Sequence, residues 1–131
     1  MHDIGTSNDL AVYRVSQARQ CLNSARLLAD AGDFKASANR SYYCIFHCMR
    51  AVLATCGFDS KKHSGIISEF RKRFIKTGIF DSSFSDVIGS AFDLRSTSDY
   101  SDFYIVPKSD VYSQIDSAEM FLVAVEAYLQ A

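Results

Sequence analysis

Tryptophan is absent from the 131 residues, proline occurs once and glycine six times. So few backbone breakers leave room for long uninterrupted helices. Ten phenylalanines and seven tyrosines supply the bulk instead. No run approaches the ~18 apolar residues of a membrane span, which excludes a spanning helix. The opening MHDIGTSNDL lacks the apolar stretch of a secretory signal. A cytoplasmic protein is the expectation, with Cys21, Cys44, Cys48 and Cys56 reduced and acting as small apolar fillers. Strong charge of one sign is also missing. At −1 overall, no global field draws the chain to nucleic acid or to a membrane surface. There is no Walker loop, no GxSxG, no HExxH and no dinucleotide fingerprint, and no cofactor is expected.

What is present fits one globular domain over residues 1–131, with its core at about 8–130. Apolar content is 48% and charged content 22%, ordinary for a chain able to bury its own core. Charge is unevenly spread. Lys61, Lys62, Arg71, Lys72, Arg73 and Lys76 face a single acid, Glu69, within residues 61–76, leaving a basic strip on a mildly acidic body.

The spacing predicts five helices and no repeat. The first runs from about Asn8, a candidate cap, to Ala31, with Gly32 as the stop. Its Ala11, Val15, Ala18, Leu22, Ala25 and Ala29 step by 4, 3, 4, 3, 4, an alanine-rich seam that lets a neighbour approach closely. The second spans about Asp33 to Cys56. Its stripe of Ala38, Tyr42, Ile45, Phe46, Met49, Val52, Leu53 and Cys56 lies within about 60° of one direction. The third runs from about Lys62 to Gly78, with His63, Ile67, Phe70 and Phe74 inward. The fourth starts near Ser83 and ends near Ser98. The fifth opens at Pro107, suited to a first turn, and carries Val111, Ile115, Ala118, Leu122, Val125 and Leu129. The FYIV run at 103–106 reads as an extended connection. An all-α up-and-down bundle of four to five helices follows.

Several residues do not fit a bland bundle. Arg95 falls amid Phe84, Val87, Ile88, Ala91 and Leu94 on the apolar side of the fourth helix. A desolvated guanidinium is costly unless it is paired or lines a wet cleft. Asp99, one turn on, is an available partner. One reading is a structural ion pair at a helix end; the sharper one is an anion or phosphate site. On the second helix Arg40, Tyr43, His47 and Arg50 step by 3, 4, 3 opposite the stripe. That row is either a solvated face or a dimer face or ligand cleft. Such a row is most often solvated, but its lack of Glu and Lys keeps the latter at least level, since Tyr and Arg are enriched at interface hot spots. His63 is in phase with an apolar face and borders Lys61 and Lys62, so it reads as a satisfied core histidine or as the edge of a basic patch. Cys44, His47 and Cys48 share a helical turn, but no fourth ligand completes a structural zinc set, and no metal is expected.

The order ANRSYYCIFHCMRAVL, KKHSGIISEFRKRFIKTG, AFDLRSTSDY and a closing helix with SAEMFL resembles HEPN domains (higher eukaryotes and prokaryotes nucleotide-binding). The similarity is to the small stand-alone prokaryotic branch that shows Arg, three residues, then Asp-Tyr, and it covers about residues 8–129. Each motif alone is weak; order and spacing together are fairly specific. The resemblance implies a HEPN-like bundle of four to five helices, paired as a homodimer, and a toxin-like role beside a minimal nucleotidyltransferase antitoxin. In active members an Arg followed after four to six residues by His forms a metal-independent RNA-cutting site at the dimer cleft.

Carried over, Arg95 matches the family arginine, and Arg95, Asp99 and Tyr100 form the implied catalytic set. Tyr100 stands where the imidazole would be. A tyrosine stays protonated to about pH 10 and does not serve as a base near pH 7. Arg95 retains the means to hold a phosphate. Some antitoxin-paired relatives use a tyrosine here as acceptor of adenylyl groups, so the resemblance implies Tyr100 as a modification target. Arg40, Tyr43, His47 and His63 would line the cleft, and the basic third helix would guide RNA. The alternatives are a HEPN module that dimerises and binds without cutting, and a plain helical scaffold.

Overall fold

The structure, a computed structural model, describes residues 7–100 and 102–130. Five helices carry it: α1 (Ser7–Asp30), α2 (Phe34–Ala54), α3 (His63–Phe70), α4 (Ser83–Tyr100) and α5 (Lys108–Gln130). No strand occurs among the described residues. A π-helical turn over Arg71–Ile75 extends α3, and in it the Lys76 amide donates to the Arg71 carbonyl at 2.8 Å.

The helix ends follow local chemistry. Gly32 and Gly57 take φ of +83° and +71° just past α1 and α2, where a side chain would be strained. Asp33 Oδ1 caps α2 by accepting from the Ala36 amide at 3.3 Å. Asn8 lies inside α1, which begins at Ser7, and the positions before Ser7 fall outside the described residues. Ser83 is the first residue of α4, and Asp81 Oδ1 accepts its amide at 2.9 Å. Pro107 stands one residue before α5, and its carbonyl accepts from Asp110 and Val111 at 3.1 and 3.2 Å. Phe103 lies in a turn and residues 104–107 form an irregular connection, where FYIV at 103–106 predicts an extended one.

Helices α1 and α2 form an antiparallel hairpin with the most extensive helix–helix interface in the bundle. Ala11, Ala18, Leu22, Ala25 and Ala29 are all buried in it. The alanines bring the backbones close enough for Ser37 Oγ to donate to the Ala25 carbonyl at 2.7 Å inside the core. Helix α2 is the central element and packs against α1, α3, α4 and α5. A single stripe therefore understates it: Cys44, Cys48, Ala51 and Ala54 are buried as well. Cys56, placed on the stripe by its spacing, lies beyond the helix end and is exposed. From Arg40 to Ala54 the only residues not buried are Arg40, Tyr43, His47 and Arg50. The predicted polar row is thus the window through which the helix from Arg40 onward meets solvent.

Phe70, Phe74, Phe80 and Phe121 are buried together where α3, its π turn and α5 meet. Among the described residues no helix is long and apolar enough to cross a membrane.

Candidate anion-binding site

Arg95 reaches from α4 to the window on α2. Its side chain is 18% exposed. The guanidinium lies over two rings of α2, 5.3 Å from the Tyr42 centroid and 5.6 Å from that of Tyr43. Such placement attracts a cation to the ring faces while desolvating it. Asp99 Oδ2 stands 2.9 Å from Arg95 Nε. The two form an ion pair one helical turn apart, and the Nε atom is buried. Asp99 thus compensates the charge at Nε, and only the exposed remainder of the guanidinium is open to an added oxyanion.

Tyr42 is wholly buried, and its hydroxyl lies 2.7 Å from His63 Nδ1. Burial pushes the phenol up to about 12 despite the Arg95 charge. His63 stacks on Phe46 with centroids 4.2 Å apart and meets Tyr43 edge-on. Burial lowers its pKa, and the charges of Arg95 and Arg50 lower it further, so its imidazole is neutral near pH 7. Arg40 lies over Tyr43 at 5.1 Å and donates to Asn39 Oδ1. With Asp99 and Ser98 it lines a groove of about 440 Å³ between α2 and α4.

His47 sits apart from Arg95. Its ring neighbours are Tyr43 and Phe46, its Nδ1 is buried without a partner, and burial followed by Arg50, Arg40 and Arg14 lowers its pKa to about 4. Tyr100 closes α4 with 81% of its surface exposed. Five residues along a helix turn it about 140° from Arg95, so the two do not face one site. The sequence-predicted residues thus divide: Arg95, Asp99, Tyr43 and His63 come together, Arg40 and His47 join them only through Tyr43, and Tyr100 does not.

The basic strip is likewise dispersed. Lys61, Lys62, Lys72, Arg73 and Lys76 are exposed. Arg73 is engaged by Glu69 at 2.6 Å and lies over Phe58. Arg71 turns inward and donates to the Ser85 carbonyl at 3.0 Å. Among the described residues no three His, Cys, Asp or Glu side chains gather as metal ligands.

Three contributors escape the spacing argument. Tyr42 reads as core, and it is, yet its hydroxyl orients His63. Asp59, in the α2–α3 connection, accepts from Arg50 Nη2 at 3.2 and 3.1 Å and from Arg14 Nη2 at 3.1 Å. Arg14, only 6% exposed, also donates to the Arg50 carbonyl at 3.1 Å. Its signal was available, because Arg14 falls in phase with Ala11 and Ala18 and interrupts the alanine seam as Arg95 interrupts the α4 face.

A model of the HEPN domain matches residues 11–128. A UPF0332 protein of Thermotoga maritima is 32% identical over 118 residues, covering 90% of this chain and 89% of that protein. A Methanocaldococcus jannaschii protein named "putative toxin" is 30% identical over 115 residues, covering 88% of this chain and 78% of its own. Another of that name from the same organism is 29% identical over 113 residues, covering 86% and 84% respectively.

Proposed function

Because this chain belongs to the HEPN family, we propose that it is a toxin-like protein that binds RNA or a nucleotide through Arg95 and is controlled by a minimal nucleotidyltransferase antitoxin. The observation that carries this reading is the Arg95 guanidinium, held over Tyr42 and Tyr43, paired at Nε with Asp99 and still 18% exposed. A phosphate oxygen pairs with the exposed part of that guanidinium, and the half-buried Tyr43 ring borders it. The "putative toxin" name of two relatives supports the toxin-like part. Tyr100 supports the transferase part: an exposed phenol at a helix end is open to an adenylyl-transferring partner. Two copies pairing across the Arg40–Arg50 row would enclose the site in a cytoplasmic homodimer.

Cleavage is the finer part. Metal-independent cutting needs Arg95 to stabilise charge at phosphorus and a base to take the 2′-hydroxyl proton. Tyr100 fits neither by position nor by acidity, which favours a second reading: a HEPN module that binds without cutting. The test uses labelled RNA without metal. In the proposed reading Arg95→Ala weakens RNA binding about tenfold or more by fluorescence anisotropy; equal affinity in wild type and variant removes Arg95 as the anchor. RNA equally intact with both proteins decides for the non-cutting module. Mass analysis after coexpression with a minimal nucleotidyltransferase, should one be encoded beside this chain, is expected to place AMP on Tyr100, and an unmodified Tyr100 beside an active transferase discards that role.

A further inference from the structure

A groove of about 510 Å³ opens beside the Arg95 face, lined by Phe46, Arg50, Asp59, Ser60, Lys61 and His63. Its electrostatics favour an anion. Arg14, Arg50 and Lys61 bring three cations, and Asp59, bridged between Arg14 and Arg50, is the one carboxylate among these groups. His63 opens α3; the Lys62 amide before it donates to Ser60 Oγ at 3.2 Å, and the Gly65 and Ile66 amides donate to the Lys62 carbonyl at 3.1 and 3.3 Å. Ser60 reaches over that turn because residue 65 is glycine: a Cβ there would stand 2.6 Å from Ser60 Oγ.

The tautomer of His63 follows from its partner. Tyr42 is fully buried, and among the described residues its O–H has His63 Nδ1 as sole acceptor. The phenol therefore donates to Nδ1, and the neutral ring carries its proton on Nε2. No hydrogen bond among the described residues uses Nε2. The ring is held by Phe46 and Tyr43, so this free donor has a fixed direction.

We propose that this groove is a phosphate subsite, in which His63 Nε2–H, Arg50 and Lys61 bind the oxyanion of a nucleotide or of an RNA backbone. Ligand identity rests on the RNA-binding reading above; the oxyanion chemistry does not. Arg50 from α2 and Arg95 from α4 act on the imidazole as cations, Tyr42 and Tyr43 enclose it, and Lys61 and Asp59 line the groove. A bound phosphate offsets those cations and raises the His63 titration midpoint.

The test is a nitrogen-15 NMR titration of the histidine side chains in the intact protein with inorganic phosphate, AMP, a dinucleoside monophosphate and adenosine. The His63 Nε2 signal is expected to move with every phosphate-bearing probe and to stay still with adenosine. A response to AMP and phosphate alone assigns the subsite to monoesters, and a response to the dinucleotide assigns it to backbone diesters. Lys61→Ala, a change at an exposed loop residue, is expected to weaken AMP about threefold to tenfold. A His63 signal unmoved at high AMP, or moved equally by adenosine, overturns the subsite. That failure is separable from failure of Arg95, because RNA affinity lost in Arg95→Ala with a silent His63 leaves the RNA-binding reading standing. A responsive His63 with Arg95→Ala unaffected leaves only the subsite.

Discussion

His47 is surrounded by like-signed charge. Arg50, Arg40 and Arg14 all oppose its protonation, after burial as the larger cause, and bring it to about 4 from an ordinary 6.5. The unfolded chain thus takes up a proton as pH falls below about 6.5, while the folded chain resists until about 4. Stability contributed by neutral His47 is full above that window and lost as pH falls through it, by about 2–3 kcal/mol. Urea midpoints at pH 7 and pH 4.5 check this: His47→Gln is expected to remove most of the difference, and an unchanged difference refutes it. At this scale the sequence is legible wherever a charged residue breaks an apolar phase, as Arg95 and Arg14 do. Asp59 had no phase to break, since it lies in a connection, and the pairing of Tyr42 with His63 spans 21 positions that no helical period relates.

Among the elements, α1 depends on small side chains. Ala18 and Ala25 are wholly buried against α2, and the Ser37–Ala25 hydrogen bond fixes how near the helices stand. Ala18→Leu is expected to destabilise by about 1–3 kcal/mol through overpacking, measured by guanidinium denaturation; a neutral result would mean that the interface is looser than its buried alanines indicate. Helix boundaries were readable to within a few residues because glycine stops, the Asp33 cap and the 4, 3 stepping agree. The all-round burial of α2 was not. Periodicity marks one apolar face, whereas Cys44, Cys48 and Ala51 sit on the other side as small neutral residues whose burial depends on what packs there.

For the molecule as a whole, the charge of −1 means that the proposed RNA binding would rest on a local cluster. Arg50, Lys61 and Arg95 make that cluster, and Arg19–Glu126 and Arg26–Glu119 tie α1 to α5 elsewhere. If three or four phosphates are contacted, log affinity for single-stranded RNA falls with log salt at a slope of about −2 to −3. Anisotropy from low to moderate NaCl checks it; a slope near zero would remove phosphate contact as the source of affinity. The π turn at Arg71–Ile75 has a further consequence for chain length. It accommodates one residue more than ordinary helical winding. Losing one amino acid there relaxes the coil and leaves Arg95 aimed at Tyr42, whereas the same loss within α2 swings every later side chain by about 100°. Single-codon deletions are therefore best absorbed at this joint.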